Sequence, residues 1–274
     1  MSNNEIGDVT NWMKNPTKMF DVSGQTAIVT GASGAFGRGI AITLAAQGAN
    51  VLLASGNEDE LKSVQRDCID VGGKAEYLVR RPDSQEDAEA MRDAALDAFG
   101  SIKMLAIGSG YNKAGFIHEM DYEDWQDVMD ANVRGAWFMA KAVGGYWIKN
   151  EVKGKTLLMS SVRGRHGNIS GYTGYCASKG ATDAMTRVLA TEWAKYGTTV
   201  NAIAPTVFRS NLTAWMYGDD ELGQATKARS LSRIPLGRLG EVDDLIGMAL
   251  YLLSPASDFC TGQVMYIDGG FTAG

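Results

Sequence analysis

Short apolar runs alternate with longer amphipathic segments along almost the entire chain. The apolar runs cover residues 26–30, 50–54, 75–79, 102–108, 155–160, 198–204 and 263–268. Segments with helical spacing lie between them, at 35–48, 59–73, 84–100, 122–149 and 172–195. Strands separated by helices form βαβ units, whose strands are parallel and covered by helices on both faces. The pattern therefore predicts a single α/β domain, built on a doubly wound parallel sheet of about seven strands.

Two segments fall outside this alternation. Residues 1–20 are polar and rich in Asn, which indicates an N-terminal arm outside a domain over 21–274. The arm either lies on a partner subunit or is a frayed terminus. Residues 206–235 lack clear periodicity and follow the sixth predicted strand. Ligands bind outside the carboxyl ends of strands in open parallel sheets, so this segment is a lid candidate.

Composition excludes several classes of protein. The 274 residues carry a formal net charge of −6, which argues against a nucleic-acid or membrane-surface binder. No apolar run reaches the ~18 residues that a membrane span needs, and the first residues lack a signal-peptide pattern. The three cysteines have neither disulfide nor metal spacing. We expect a cytoplasmic protein with reduced thiols and no metal site.

Tyr175 and Lys179 stand four residues apart in the segment YCASK. On a helix both side chains lie on one face. A nearby ammonium favours the phenolate and brings the tyrosine closer to acid/base strength at neutral pH. Ser161 ends the fifth predicted strand, where its hydroxyl can orient a substrate oxygen. A Tyr-x-x-x-Lys pair alone is a weak signal, because helices contain many by chance.

The order of several motifs makes the signal stronger. Thr30-Gly31 and Gly37 follow the first strand, ANV contains Asn132, and MSSV contains Ser160 and Ser161. Tyr175-x-x-x-Lys179, VNAIAP (200–205) and TGQVMYIDGG (261–270) complete the series. Over residues 22–274 the chain resembles the short-chain dehydrogenase/reductase family. The resemblance implies a Rossmann-like domain and hydride transfer between NAD or NADP and a carbinol or carbonyl carbon.

The resemblance also implies roles for individual residues. Tyr175 is the general acid/base, Lys179 binds the nicotinamide ribose and lowers the tyrosine pKa, Ser161 polarises the substrate oxygen, and Asn132 holds a water in a proton relay. The implied cofactor-binding residues are Gly31, Ser33, Ala35, Phe36, Gly37, Ser55, Gly108, Lys179 and Pro205. Two long helices, near 122–149 and 172–195, are implied as a dimer face, so we expect a homo- or hetero-oligomer.

The cofactor side departs from the family pattern in four places. Ala35 replaces the middle glycine of the turn. Ser55 stands where a carboxylate takes the ribose hydroxyls of NAD, and Gly56 follows it where an arginine would indicate a 2′-phosphate site.

The other two departures lie on the next strands. Arg80 or Arg81 replaces an aspartate at the end of the third strand. The sequence Ile107-Gly108-Ser109-Gly110 replaces Asn-Asn-Ala-Gly at the end of the fourth.

Three interpretations of these departures remain open. The first is an active alcohol dehydrogenase or ketoreductase with a relaxed adenosine pocket, using Arg80 or Arg81 for NADPH. The second is a non-catalytic subunit with a decayed nucleotide site, supporting an active homologous partner and binding no cofactor. The third is a site adapted to another nucleotide-like group.

The predicted substrate side is basic and aromatic. Arg163, Arg165 and His166 follow Ser161. They meet an anionic substrate, such as a carboxylate or a β-hydroxyacyl-CoA thioester, or form a solvated loop. The lid candidate contains Phe208, Arg209, Trp215, Met216 and Tyr217, which either cover an apolar substrate or pack the lid onto the body.

Overall fold

Seven parallel strands form one sheet. The structure is a computed structural model that describes residues 9–274, and for residues 211 and 212 it describes the backbone but not the side chains. The strands are β1 (Thr26–Thr30), β2 (Asn50–Ser55), β3 (Lys74–Val79), β4 (Met104–Ile107), β5 (Lys155–Met159), β6 (Thr199–Pro205) and β7 (Val264–Ile267). Their order across the sheet is β3-β2-β1-β4-β5-β6-β7. The predicted single α/β domain with a seven-stranded parallel sheet is confirmed.

Helices connect the strands. They are α1 (Asn11–Lys14), α2 (Ala35–Ala46), α3 (Glu58–Asp70), α4 (Gln85–Phe99), α5 (Tyr122–Met129), α6 (Gly135–Lys149), α7 (Thr173–Trp193), α8 (Glu221–Leu231) and α9 (Asp243–Leu253). Turns of 3₁₀ helix lie at Pro16–Phe20, Val162–Gly164, Ala194–Tyr196, Asn211–Tyr217 and Pro255–Ser257. Within residues 9–274, no helix has both the length and the apolar character that crossing a membrane requires.

Local signals explain where the predicted helices begin and end. Ser84 accepts a hydrogen bond from the Asp87 N–H at 3.1 Å and caps the start of α4. Gly100 ends α4 in a left-handed conformation with φ 76°. Asn57 caps α3 in the same way, by accepting the Glu60 N–H at 3.2 Å.

Three helical features differ from the sequence prediction. The segment 122–149 is interrupted by a π-helical turn over Asp130–Arg134. The lid candidate contains α8, whose only buried residue is Gly223, so its sequence shows no apolar stripe. Helix α9 was not predicted. It is apolar over most of its length, and a short apolar run does not distinguish a buried helix from a strand by periodicity.

Two apolar layers enclose the sheet. On one face α2, α3 and α9 pack against it, through buried residues such as Leu44, Leu61 and Leu252. On the other face α4, α6 and α7 contribute Met91 and Trp147, among others. Each fully buried aliphatic side chain stabilises the fold by about 1.5–3 kcal/mol. This double layer holds the strands rigidly and fixes the positions of their carboxyl ends.

The chain order reverses between β1 and β4. Thr30 at the end of β1 pairs with Ile107 at the end of β4, and the connections from these two strands run to opposite sides of the sheet. A crevice opens at such a switch point, and doubly wound proteins bind ligands there.

The N-terminal segment reaches this domain at α9. The Phe20 ring lies 6.4 Å from the Tyr251 ring, measured between centroids. Residues 1–8 of the predicted arm lie outside the described residues, so the arm stays a prediction.

Candidate functional site

The glycine turn after β1 is closely packed. Gly31 has a φ of +63°, and a Cβ there would lie 2.6 Å from the Gly108 carbonyl carbon. A Cβ on Gly37 would collide with the Gly31 carbonyl oxygen. Gly108 itself donates its N–H to the Thr30 carbonyl at 3.1 Å. The three predicted glycines therefore form one compact backbone surface where β1, β4 and α2 meet.

The N-terminus of α2 faces this turn without a capping side chain. Its N-cap is Gly34, and Ala35 is the first helical residue. The first N–H groups of a helix have no intrahelical acceptor and carry partial positive charge, so they bind phosphate. The backbone thus fits a dinucleotide pyrophosphate. Ser33 and Ala35 are half-buried beside it, and the effect of the Ala35 methyl on the cofactor stays a prediction.

Phe36 links the turn to the chain after β6. Its ring packs edge-on against Phe208 at a centroid distance of 5.3 Å. Pro205 ends β6, and the Ser161 hydroxyl lies 3.4 Å from its carbonyl oxygen. The two segments predicted to contact the cofactor therefore lie together at the carboxyl edge of the sheet.

Ser161 and Tyr175 meet just beyond β5. Ser161 is buried, and its Oγ accepts the Arg163 N–H at 3.2 Å. Tyr175 lies in the first turn of α7, and its hydroxyl is hydrogen-bonded to Ser161. Burial raises the pKa of Tyr175, while the bond to Ser161 acts in the opposite direction. Desolvation is the largest cause of this shift, and its direction is opposite to the lowering that was expected from Lys179.

Lys179 lies one turn further along α7. It is buried, and its Nζ donates to the Met159 carbonyl oxygen at 2.8 Å and lies 5.5 Å from the centre of the Tyr175 ring. Burial lowers the pKa of Lys179 to about 8, and the charge of Asp183 partly opposes this. The structure thus brings Ser161, Tyr175 and Lys179 together, as the motifs predicted.

Asp183 is a member of this group that the sequence analysis missed. Its carboxylate accepts a hydrogen bond from the Ser160 hydroxyl at 2.5 Å. Burial raises the pKa of Asp183, and hydrogen bonding to Ser160 lowers it. The available signal was spacing, because Asp183 follows Lys179 by the same four residues that separate Lys179 from Tyr175.

Asn132 is buried in the π-helical turn between α5 and α6. Its Oδ1 accepts the Tyr111 N–H at 2.8 Å, and its Nδ2 donates to the Tyr111 carbonyl at 2.8 Å and to the Ser178 hydroxyl at 2.9 Å. The side chain therefore fastens the loop after β4 to α7. Both N–H groups of its amide are used, so a water relay at this position would use the backbone of the turn or the second lone pair of Oδ1.

The predicted adenosine side lies at the ends of β2 and β3. Ser55 is buried, and its Oγ accepts the Asn57 N–H at 3.2 Å. Arg80 forms an ion pair with Asp87 at 2.6 Å, and Arg38 forms one with Asp67 at 2.5 Å. These two arginines therefore have structural partners.

Two arginines and a histidine surround Phe271 near Tyr175. The guanidinium carbons of Arg163 and Arg233 lie 5.6 and 4.2 Å from the centre of its ring. The His166 ring packs edge-on against it at 5.9 Å, and its Nε2 is buried without a hydrogen-bond partner in the described part of the chain. Arg165 lies apart from this group, 6.0 Å from the Tyr266 ring.

The lid candidate uses its aromatic residues in two ways. Phe208 and Met216 are buried and pack the segment onto the body. Tyr217 lies under Arg209 at 4.8 Å and under Lys227 at 4.6 Å. Trp215 is 48% exposed.

Comparison with known proteins gives consistent matches over nearly the full chain. The enoyl-(acyl carrier protein) reductase family model matches residues 31–272. An uncharacterised oxidoreductase of Mycobacterium tuberculosis is 47% identical over 93% of both chains. The gluconate 5-dehydrogenase of Gluconobacter oxydans is 34% identical over 93% of this chain and 97% of its own.

A solved structure agrees with these sequence matches. The gluconate 5-dehydrogenase of Burkholderia cenocepacia, in complex with NADP and tartrate, superposes with a TM-score of 0.87. It is 30% identical, over 95% of this chain and all of that one. The glycine turn, the arrangement of Ser161, Tyr175 and Lys179, and these matches lead to one conclusion: the chain belongs to the short-chain dehydrogenase/reductase family, as an NAD(P)-dependent oxidoreductase.

Proposed function

We propose that this chain transfers a hydride between NAD(P) and the secondary alcohol or ketone carbon of an anionic small molecule. The main support for an anionic substrate is the pair of arginines around Phe271. Arg163 and Arg233 lie together near Tyr175. Within residues 9–274 neither Arg163 nor Arg233 forms an ion pair.

The energetics of Arg163 support a missing anion. Burial lowers the pKa of Arg163, and the charge of Arg233 lowers it further. A desolvated cation such as Arg163 is unfavourable without a counter-ion, and a bidentate carboxylate relieves that cost. A substrate carboxylate placed between these guanidinium groups would set the reacting carbon near Tyr175.

The proton chemistry is assigned to Tyr175. In alcohol oxidation the phenolate accepts the hydroxyl proton while the C–H bond breaks, and in ketone reduction the phenol returns the proton to oxygen. Ser161 orients the substrate oxygen through its buried hydroxyl. The nicotinamide cofactor, when bound, supplies the hydride acceptor or donor. Gly31, Gly37 and the N-terminus of α2 would hold its pyrophosphate, and Lys179 its nicotinamide ribose.

Relatives support a hydroxy acid or a sugar acid as the substrate class. Two of them are gluconate 5-dehydrogenases, and one was solved with tartrate, a dicarboxylate. A β-hydroxyacyl-CoA substrate and the non-catalytic subunit stay predictions, and so does the cytoplasmic location.

A matched pair of substrates tests this function. Gluconate and the neutral polyol glucitol differ chiefly in the carboxylate, so turnover with NADP and NAD is measured for both, within a wider panel of hydroxy acids. We expect turnover of acids, and Arg233→Gln raises the KM for the acid roughly 10- to 100-fold. Arg92→Gln, at a remote ion pair with Asp93, is the control.

The outcomes separate the alternatives. Tyr175→Phe abolishes turnover if this chain is catalytic. Equal KM values for acid and neutral substrates, unaffected by Arg233→Gln, would disprove the anionic class. Binding of neither NADP nor NAD to the purified chain would instead favour the non-catalytic subunit.

An oligomer is also proposed, through the two helices named from the sequence. Trp137 on α6 is 49% exposed and Val188 on α7 is 54% exposed. Large apolar side chains that stay exposed on these two helices favour an interface there. Sedimentation of the wild type and of Trp137→Lys tests this, and a monomeric wild type would contradict it.

A further inference from the structure

The ends of β2 and β3 bring two distant residues together. Ser55 pairs with Val79 in the sheet, and the Arg80 N–H donates to the Ser55 carbonyl at 2.8 Å. The pairing therefore continues one residue past β3. Arg81 leaves the sheet next to Gly56, although 25 positions separate them in the sequence.

Gly56 and Arg81 fit each other closely. A Cβ built on Gly56 would lie 2.6 Å from Arg81 Nε, 3.2 Å from its Cζ and 3.3 Å from its Nη2. The guanidinium thus lies over the glycine, in the space that any other side chain at 56 would fill. An arginine at 56 would have indicated a 2′-phosphate site; Gly56 stands there instead, and the neighbouring strand supplies an arginine to the same place.

Arg81 carries the unpaired charge at this edge. Arg80 is neutralised by Asp87 and Arg38 by Asp67. Arg81 is exposed and, in the part of the chain that the structure describes, forms no ion pair. The carboxylate that would take ribose hydroxyls is replaced by Ser55, whose hydroxyl is compatible with a phosphate and does not repel it.

We propose that Arg81, lying over Gly56 beside Ser55, binds the adenosine 2′-phosphate, so that this chain selects NADP(H) over NAD(H). The inference rests on the proposed function, because it concerns the cofactor of that site. It assigns the basic contact to Arg81 rather than Arg80, and it turns two of the departures from the family pattern into one working subsite. A phosphate carries more charge than a ribose hydroxyl, so the contact discriminates the two cofactors.

Binding measurements on the purified full chain test the inference. Dissociation constants are measured by calorimetry for NADPH, NADH, and adenosine 2′,5′-bisphosphate. We expect NADPH to bind the wild type at least 10-fold more tightly than NADH. Arg81→Gln weakens the binding of NADPH and of the bisphosphate roughly 10- to 100-fold and leaves the affinity for NADH unchanged.

Two further variants make the result specific. Arg80→Gln removes the same charge from the adjacent residue, and we expect the dissociation constants of NADPH and NADH to change less than threefold. Gly56→Ala retains Arg81 but displaces its guanidinium, so it weakens NADPH selectively. This second variant also answers the question if Arg81→Gln fails to fold.

The binding data distinguish failure of the Arg81 subsite from failure of the proposed function. Equal affinity of the wild type for NADPH and NADH, or an equal loss of both in Arg81→Gln, overturns the Arg81 subsite and leaves the proposed oxidoreductase intact. Absence of binding for both cofactors overturns the proposed function and this inference together.

Discussion

Lys179 directs its ammonium group at the Met159 carbonyl oxygen, 2.8 Å away, rather than at Tyr175, whose ring centre lies 5.5 Å from Nζ. The hydrogen bond joins α7 to the end of β5 and fixes the height of both side chains in the crevice. It also buries a cation, and burial lowers the pKa of Lys179 to about 8.

This buried lysine predicts a pH-dependent stability. Between about pH 8 and pH 10.5 the folded chain binds fewer protons at Lys179 than the unfolded chain, so this residue's contribution to stability rises with pH. Below pH 8 its penalty is fully present. The free energy of unfolding is measured in urea for the wild type and for Lys179→Met, at pH 7 and at pH 10. Between pH 7 and pH 10 the stability of the wild type should increase relative to that of the variant. A difference independent of pH would contradict the buried charge.

The burial of Tyr175 predicts different pH profiles for the two reaction directions. Burial raises the pKa of Tyr175 above its usual value of 10.0, so the phenolate base is scarce at neutral pH. We expect kcat/KM for alcohol oxidation to rise with pH across the neutral range, because this ratio reports the protonation state of the cofactor-bound enzyme before the alcohol binds. Ketone reduction uses the neutral phenol and should show no parallel rise. An oxidation plateau near pH 7 would show that another base acts.

Substitution of Gly37 tests whether the glycine turn after β1 binds the cofactor. A Cβ there collides with the Gly31 carbonyl, so Gly37→Ala must shift the turn. We expect cofactor affinity to fall at least 10-fold, measured by calorimetry, together with a loss of stability. Gly247→Ala is the matched control, because it lies in α9 with no atom within 4 Å of the new methyl. It should stabilise by up to about 1 kcal/mol and leave binding unchanged.

Asn132 predicts a coupled loss of stability and activity. Asn132→Asp keeps the shape but removes the two donations to Tyr111 and Ser178. Unsatisfied buried groups cost about 1–3 kcal/mol each, so urea unfolding should show a loss in that range or above it. Turnover should fall as well, because the loop after β4 is released.

Ser178→Ala is the graded control for Asn132. It removes the contact with Asn132 and the Ser178 hydrogen bond to the Tyr175 carbonyl, and it leaves both bonds to Tyr111 in place. We expect a smaller loss of stability, about 1 kcal/mol. A variant of Asn132 with wild-type stability would show that the loop does not depend on this amide.

Most of the fold was predictable from local pattern. The seven strands and the helices over 84–100 and 172–195 are visible in the sequence because period and capping are local properties. Helix α8 was missed because it lacks an apolar face, and the turn over Asp130–Arg134 because its helical register changes without a marker such as Pro or Gly.

The order of the motifs predicted which residues lie together in the candidate site, but it did not predict the direction of their pKa shifts. Tyr175 and Lys179 were expected to share one face of a helix, but the direction of their pKa shifts depends on how much of the domain covers them. Trp137 and Trp147 show the same limit. They lie on the same helix, and only the packing decides that one is 49% exposed and the other buried.

The sequence by itself determined the alternation of strands and helices, the glycine turn and the placement of Tyr175 and Lys179 one turn apart on a helix, because each depends on neighbours within a few positions. Only the tertiary structure decided which of two neighbouring arginines meets a carboxylate. Arg80 and Arg81 are adjacent in the sequence, yet one meets Asp87 and the other lies over Gly56. That choice depends on the register between β2 and β3, which joins residues far apart along the chain and is fixed only when the sheet is assembled.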